Sequence, residues 1–456
     1  MALSRLFPYT VEMDQKHLHV IGICGVATSA LAIAFHKKGW KVTGSDKGFF
    51  PPVSTELERH GIEFYAGWHP EKMGTPDLAV ISTASGTQNP ETLYVKENKI
   101  PNASYTEVFR DYFIKKNSIV CVGTWGKTSS SALLSFIMDE MDPSYMFGGL
   151  SLSHDASAKL TDSDWSVFEG DEYKSSPTDP TAKFFYYKPT HLLLSSISWD
   201  HADLYPTEQS YFDTFKKLID SVHGPIVAHT DTRARVQKAI WYGKTDADYT
   251  YKDVVQTKDG LDFIITHNGV DYPIHSPMLG KFQAENITGC FAMTHTIGIS
   301  PEKIIKRIAE FKGMKRRLEK RYEGNVTIFD DIAHSPEKAA ATLKNIREIY
   351  TGKITVVFEP NIGGRELASA YKYDNAFKDA DEVIIPRLTK LKIGEIMPME
   401  GKDLAAVIAK THPNVKYIED DTELVKTLEG DVIAFLGSHG FRGMIEATIS
   451  LRQQSQ

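Results

Sequence analysis

The stretch Val120-Cys-Val-Gly123-Thr124-Trp-Gly126-Lys127-Thr128-Ser129 carries the groups needed to hold a chain of phosphates. An apolar strand, Ser118 to Val122, runs into a glycine-bearing turn with a lysine and a hydroxyl. Ser129 to about Met141 reads as the helix that follows. In such a turn backbone N–H groups, a helix N-terminus and a lysine cation converge on anionic oxygens. The hydroxyl of Thr128 then belongs on Mg²⁺. The pattern G-x-x-x-x-G-K-[ST] fails at Cys121, where the first glycine belongs, but the shorter G-T-x-G-K-[ST] fits throughout.

Two acidic clusters have the chemistry to complete a metal site. Trp165 to Phe168 is a short apolar strand that ends in Glu169-Gly-Asp171-Glu172-Tyr173. Leu192 to Ile197 is another, ending in Ser198-Trp-Asp200-His201-Ala-Asp203. In one sheet with Val120, both ends fall near Lys127 and Thr128. Magnesium takes oxygen ligands and keeps several waters, so carboxylates beside phosphate oxygens suit it. One acidic triplet alone reads as a solvated turn. Two of them flanking a phosphate loop point to metal.

These residues need a scaffold, and the chain supplies three α/β units. Residues 17–114 open with a strand, His17 to Ile21, a turn, Gly22-Ile-Cys-Gly25-Val-Ala-Thr28-Ser29, and a helix to Lys38. The next strand ends at Asp46, about twenty residues on, as in a dinucleotide-binding fold. G-x-G-x-x-G fails at Cys24 and Ala27, so the turn points to a nucleotide diphosphate more than to NAD. Leu78 to Ser82 and the polar loop from Thr83 follow. In residues 115–314, Pro206 to Val222 reads as a helix, Asp246 to Pro273 as an antiparallel excursion, and Gly280 to Asn286 as the opening of another helix. The basic run Lys312 to Arg317 marks a junction. Residues 315–456 alternate strand and helix, a second doubly wound sheet, with Asp330-Asp331-Ile-Ala-His334-Ser-Pro336 at its first turn and Gly437-Ser-His439-Gly440 at its last. The polar tail from Gln453 to Gln456 is expected to fray.

Composition narrows the class. The 456 residues are 41% hydrophobic and 24% charged, the balance of a globular protein of two or three domains. No apolar run is long enough to span a membrane. Residues 1–16 have no basic segment followed by an apolar one, which argues against export. Three dispersed cysteines, Cys24, Cys121 and Cys290, suggest a reducing compartment, hence a cytoplasmic protein. A net charge of −7 argues against nucleic acid as a partner.

The motifs together, in this order, resemble the Mur ligases, the ATP-dependent amide-forming enzymes of peptidoglycan synthesis. The set is Gly22 to Gly25, Gly44-Ser45-Asp46, Gly123 to Thr128, Glu169 to Glu172, Asp200 to Asp203, Gly280 to Asn286, Lys315 to Arg317 and Asp330 to Pro336. The resemblance spans almost the whole chain. It implies a Rossmann-like domain for a UDP-sugar (1–114), a central P-loop ATPase-type domain (115–314) and a C-terminal Rossmann-like domain for the amine (315–456). One branch adds L-alanine to UDP-N-acetylmuramate. Another attaches an L-alanyl-γ-D-glutamyl-meso-diaminopimelate tripeptide to the same acceptor. Pro51 to Thr55, Lys183 to Pro189, Phe358-Glu-Pro360 and Gly440-Phe-Arg-Gly443 look like the tripeptide branch.

The resemblance also implies roles. Gly22, Gly25, Ser45, Asp46, His69, Ser82 and Thr83 would hold the UDP-sugar. Gly123, Thr124, Gly126, Lys127, Thr128, Ser129, Asn286, Arg317, Asp331 and His334 would hold ATP. Thr128, Glu169 and His201 would bind Mg²⁺, joined by Lys216 if it is carbamylated. Lys127, Glu169, His201 and Arg317 would carry catalysis, and Asn361, Arg365 and His439 would receive the amine. A monomer or weak homodimer is expected. Departures are also present. G-x-H-N-x-x-N reads Gly280-Lys-Phe282-Gln283-Ala-Glu-Asn286, Trp125 replaces a commoner His, and Phe-Glu-Pro-Arg-Ser-Asn reads Phe358-Glu-Pro-Asn361-Ile-Gly-Gly-Arg365. Two other classes compete. An NAD-dependent oxidoreductase explains residues 17–46 but leaves Lys127, Glu169 and His201 unused. A non-catalytic nucleotide-binding regulator accommodates the altered adenine motif.

Overall fold

The computed structural model describes residues 15–49, 51–176, 179–361, 363–388 and 398–454. It forms three α/β sheets in chain order. The first has five parallel strands in the order Glu63–Ala66, Lys41–Asp46, His17–Ile21, Leu78–Ile81, Asn102–Ser104. The order reverses at His17–Ile21, so its carboxyl end opens a crevice directly at Gly22. The following helix, Val26–Lys37, is buried from Thr28 to Phe35. It can be apolar nearly all round because it is covered twice, by its own sheet and by the strand Ala158–Lys159 of the next domain. Lys37 and Arg59 both pair with Asp155 across that boundary, and Lys38 pairs with Asp162 at 2.6 Å.

The second sheet has ten strands, and the phosphate-loop strand, Asn117–Val122, lies inside it. Trp165–Glu169 flanks it on one side and His191–Leu194 on the other, both parallel. The register sets Glu169 beside Cys121 and Leu194 beside Val122, so both polar clusters leave the sheet at the edge where Gly123 begins. Cys121 is part of the strand and packs in the core against the following helix, where burial pushes its thiol up to about 12. A strand residue needs no glycine, which is why the longer loop pattern fails there. The helix runs Lys127–Ile137, two residues earlier than expected, because Gly126 ends the turn at φ 79°. The antiparallel excursion is present as Tyr249–Thr257, Gly260–His267 and Val270–Ser276, and it extends the sheet. Asn268 and Gly269 turn the last hairpin at φ 50° and 77°.

The third sheet is ordered Glu319–Glu323, Thr327–Asp331, Val432–Gly437, Ile354–Glu359, Glu382–Pro386, Val415–Ile418, with only the first strand antiparallel. After Ile354–Glu359, where the alternation of strand and helix predicts a helix, the chain instead forms two short 3₁₀ segments, Gly363–Arg365 and Leu367–Tyr373. The Asn361 side chain accepts from the Gly364 amide at 3.0 Å and the Tyr373 hydroxyl returns to the Gly364 carbonyl at 2.7 Å. These bonds draw the segment into tight turns. Ser455 and Gln456, at the end of the tail expected to fray, lie outside the described residues.

One half-buried histidine ties the phosphate-loop helix to its surroundings. His154 sits among the rings of Phe136, Tyr145, Phe147 and Phe311, bonded to Ser135 of that helix at 3.2 Å and to Ser151 at 2.9 Å. Burial lowers its pKa from 6.5 to about 4. The unfolded chain therefore takes up a proton between those values that the fold refuses. Stability present above pH 6.5 is lost as pH falls toward 4, by at most about 3 kcal/mol. His154→Phe is expected to flatten that acid limb in chemical denaturation measured from pH 7 to pH 4. An unchanged slope would remove His154 from the account.

Candidate active site

The centre of the site is the Lys127 ammonium. It donates to the Gly123 carbonyl at 2.7 Å and to Glu172 Oε2 at 2.9 Å. Glu172 is 1% exposed. Its other oxygen accepts from the Tyr211 hydroxyl at 3.4 Å and lies 3.6 Å from His201 Nε2. A buried carboxylate is tolerated only with such partners. The loop's backbone is braced by residues 195–198, which leave the sheet after Leu194 and close over it. Thr124 N–H donates to the Ser196 carbonyl at 3.2 Å, the Thr124 hydroxyl to the Ser198 carbonyl at 2.9 Å, and Trp125 N–H to the Ser196 hydroxyl at 3.2 Å. Gly123, at φ 132°, is required here, since a Cβ would strike the backbone of Ser196 at 2.8 Å.

On the other side of Lys127 the Thr128 hydroxyl donates to Glu169 Oε1 at 2.8 Å, and the Gly148 amide donates to Oε2 at 2.5 Å. A hydroxyl and a carboxylate at the mouth of a phosphate loop fit Mg²⁺, which takes one or two protein oxygens and completes its shell from phosphates and water. Among the described residues no group of three or more His, Cys, Asp and Glu forms an all-protein cage. His201, at φ 56°, faces Glu172 and the ring of Tyr173, so it stands on the Lys127 side of this pair. Lys216 lies elsewhere. It is 63% exposed, bonded to Asp220 one helical turn on at 2.6 Å, and borders a separate hollow with Phe212 and Arg235. Lys216, a ligand only on condition that it is carbamylated, stands on the outward face of the helix Glu208–Ser221.

A cleft of about 640 Å³ runs from Thr128 and Glu169 past Asn286 to Arg317 and Asp331 of the third domain. Gly126 and Asn286 touch closely enough that a Cβ on Gly126 would collide with the Asn286 amide. Asp331 accepts from the Leu318 amide at 2.6 Å and the Ala333 amide at 2.8 Å. Burial raises its pKa, and those two amides and then Arg317 oppose the rise. Among the described residues no hydrogen bond holds the Arg317 guanidinium, which leaves it available to a ligand in the cleft. Its neighbour Arg316 is fully engaged, with Asp330 at 3.2 Å and the carbonyls of Gly437, Ser438 and His439. His334 does not border the cleft; its Nδ1 is buried without a partner, and burial first, then the neighbouring Lys338 and Arg316 charges, lower its pKa.

In the first domain a pocket of about 390 Å³ is lined by Gly22, Gly25, Asp46, Ser82 and Thr83, with Trp68. Asp46 holds its rim by accepting from the Cys24 amide at 2.8 Å and the Lys47 amide at 2.7 Å. Ser45 and His69 stand differently from expectation. Ser45 is fully buried behind the pocket and donates to Glu91. The His69 amide donates to the same carboxylate at 2.7 Å while its ring turns out beside Glu71. A strand residue next to Asp46 must point to the opposite face, which is the core. Of the expected amine residues, Arg365 is 4% exposed and donates to the Met399 carbonyl at 3.0 Å, so it supports the fold. Asn361 caps Gly364, and the exposed His439 bonds Ser438 at 2.8 Å.

Sequence reasoning overlooked Glu172 and residues Ser195 and Ser196 as working parts. Glu172 was visible as the last carboxylate of its cluster, three residues after Glu169. Nothing in the spacing tells which carboxylate turns to the lysine and which to the metal.

Three regions match known domain families: residues 17–116 the Mur ligase family catalytic domain, 122–294 the Mur ligase middle domain, and 316–439 the Mur ligase glutamate ligase domain. The UDP-N-acetylmuramate–L-alanine ligase of Methylobacterium nodulans is 30% identical over 454 residues, 92% of this chain and 93% of the relative. The UDP-N-acetylmuramate–L-alanyl-γ-D-glutamyl-meso-2,6-diaminoheptandioate ligase of Haemophilus influenzae is 29% identical over 360 residues, 76% of this chain and 80% of the relative. The crystal structure of the UDP-N-acetylmuramate–alanine ligase of Thermotoga maritima superposes with a TM-score of 0.80 at 21% identity, covering 96% of this chain and all of that one.

Glu172→Ala takes away the anion that Lys127 and His201 share. Nucleoside triphosphate turnover is expected to fall about 100-fold, the scale of a misplaced reacting group, with binding in the Gly22–Asp46 pocket unchanged. Turnover within twofold of wild type would show that Gly123 alone aims Lys127.

Proposed function

The chain belongs to the Mur ligase family, and from that premise we propose that it joins UDP-N-acetylmuramate to an L-alanyl-γ-D-glutamyl-meso-diaminopimelate peptide. It is an ATP- and Mg²⁺-dependent ligase that forms a carbon–nitrogen bond on the lactyl carboxylate of UDP-N-acetylmuramate. The proposal concerns the amine and the residues that act.

One observation carries the assignment of parts: a third hollow shares lining residues with both the first-domain pocket and the phosphate-loop cleft. Between them lies a hollow of about 270 Å³ lined by residues of all three domains, among them Gly148, Met314 and Ile332. Val26 borders both this hollow and the first-domain pocket. Arg317 borders both the hollow and the cleft. This adjacency supports a donor anchored through its diphosphate at Gly22, Gly25 and Asp46 and extended past Val26 and Arg317 toward the phosphate loop.

The carboxylate attacks the γ-phosphate of ATP, the bond to the β-phosphate oxygen breaks, and ADP leaves an acyl phosphate behind. The amine then attacks that carbonyl, phosphate leaves, and the amine nitrogen gives up a proton to form the amide. The obstacle is the approach of two anions. Lys127 and Arg317 are cations on either side of the cleft, and the first-turn amides of the helix, Lys127 to Ser129, are the donors left to hold phosphate oxygens. Thr128 and Glu169 would hold Mg²⁺, which would supply further neutralisation of phosphate charge. Burial of the reacting groups between two domains keeps water from the acyl phosphate.

The tripeptide reading is supported by Phe358-Glu-Pro360 and Gly440-Phe-Arg-Gly443, which the structure brings into contact. Arg442 reaches Glu359 at 3.2 Å and Asp421 at 2.9 Å, and Asp421 also takes Arg387 at 2.9 Å. Arg387 is 55% exposed, so this pair with Asp421 stands at the surface, where a substrate with several carboxylates can compete for the guanidinium. A second reading, L-alanine as the amine, is favoured by the 30% identity with the M. nodulans L-alanine ligase over nearly the whole chain. The cytoplasm is the proposed location, in keeping with three buried free thiols.

Phosphate release from ATP and UDP-N-acetylmuramate is to be measured against L-alanine, L-serine, glycine, the dipeptide and the tripeptide. The tripeptide is expected to support the highest kcat/KM; a maximum with L-alanine would overturn the choice of amine. Lys127→Ala is expected to lose about 3 kcal/mol of transition-state stabilisation, roughly 100-fold or more in kcat. Near-normal turnover would sink the role given to the loop.

A further inference from the structure

The nucleotide cleft also holds a carboxylate that the reaction leaves unused. Glu285 stands in the first turn of the helix Gln283–Thr296 and lines the cleft beside Phe282 and Asn286. Oε2 is held from behind. His229 Nε2 lies 3.4 Å from it, and the Tyr251 hydroxyl donates to it at 3.5 Å. The Asp231 amide donates to His229 Nδ1 at 3.3 Å, which leaves the ring proton on Nε2, facing Glu285. His229 and Tyr251 are both buried, so the carboxylate is fixed by parts that do not move. Among the described residues Oε1 has no hydrogen-bond donor.

The surroundings suit a planar ring. Phe282 is 55% exposed although it lines a cleft, and its ring folds over Gly280, whose φ of 96° and missing Cβ make room for it. Gln283, the other departure from the usual motif, is turned inward at 3% exposed, and its side chain accepts from the Asn286 amide at 3.1 Å. Gln283 is thus occupied within the fold. Glu285 and Asn286 remain as adjacent polar groups on this helix that face the cleft, with Gly126 of the phosphate loop packed against Asn286.

We propose that Glu285 selects the nucleobase: Oε1 accepts a hydrogen bond from the exocyclic amino group of adenine, and His229 and Tyr251 position it. Guanine presents a carbonyl oxygen where adenine presents that amino group. A fixed carboxylate attracts the first donor and repels the second acceptor, so selection comes from both terms. The inference rests on the cleft being the ATP site.

The test is equilibrium binding of non-hydrolysable ATP and GTP analogues, with Mg²⁺, to the full chain. Wild type is expected to bind the adenine analogue about 100-fold tighter, the scale of one hydrogen bond to a charged group. Glu285→Gln can turn an amide N–H toward a carbonyl oxygen, so the ratio is expected to fall below about tenfold, mainly through tighter guanine binding. Glu285→Ala is expected to weaken adenine without that gain. Equal binding of both analogues by wild type, or an unchanged ratio in Glu285→Gln, overturns the role of Glu285 alone. Binding of neither analogue overturns the ATP assignment of the cleft and this inference with it.

Discussion

A lysine held between a backbone carbonyl and a buried carboxylate is the interaction on which this site depends. Lys127 could not reach Gly123 without the left-handed turn at Gly126, and it could not be held without Glu172. Glu172 in turn is tolerated inside the protein because Lys127, Tyr211 and His201 surround it. That arrangement requires two strand ends to flank the loop in register, which the parallel order Trp165–Glu169, Asn117–Val122, His191–Leu194 provides. Sheet register and the placement of one ammonium are therefore the same constraint seen at two scales. A one-residue slip of either neighbour would exchange core and cleft faces and lose both.

The division of labour between carboxylates follows from the same geometry. Glu169 is the last residue of its strand and remains beside Thr128, held by the Gly148 amide. Glu172, three residues later, has turned back under Lys127. One carboxylate faces the space where a hydrated cation belongs, and the other is sealed at the base of the lysine. Both sit within a few residues, yet one is placed to meet substrate charge and the other to aim a protein cation.

Much of this was legible in the residues. The strand-turn-helix at Val120–Ser129, the three α/β units, the antiparallel excursion and the junction at Lys312–Arg317 all carry local signals in periodicity, glycine placement and charge. The residues that stand differently share one feature: their role depends on which way a side chain points. Ser45 and Asp46 are adjacent on a strand and so face opposite sides. Lys216 has the right distance from His201 in sequence but lies on the outer face of a helix. Arg365 belongs to a tight 3₁₀ turn that draws its guanidinium inward. Spacing identifies candidates, whereas direction comes from packing that a single sequence does not display.

The junction shows how direction is set where it matters most. Arg316 and Arg317 are indistinguishable by type, and both lie between two domains. Arg316 adopts φ 58° and Leu318 φ 49°, conformations that non-glycine residues rarely take. The kinked backbone sends one guanidinium to Asp330 and the carbonyls of residues 437–439, where it ties the linker to the third sheet. The other is left facing the cleft beside Asp331. Such strain persists only where surrounding contacts over-determine it, and the four-way binding of Arg316 is that over-determination. Arg316 is thus the reason Arg317 can be free. A guanidinium left open to the cleft cannot also tie the junction to the third sheet, and the chain resolves this by placing the two positions on consecutive residues and turning the backbone between them.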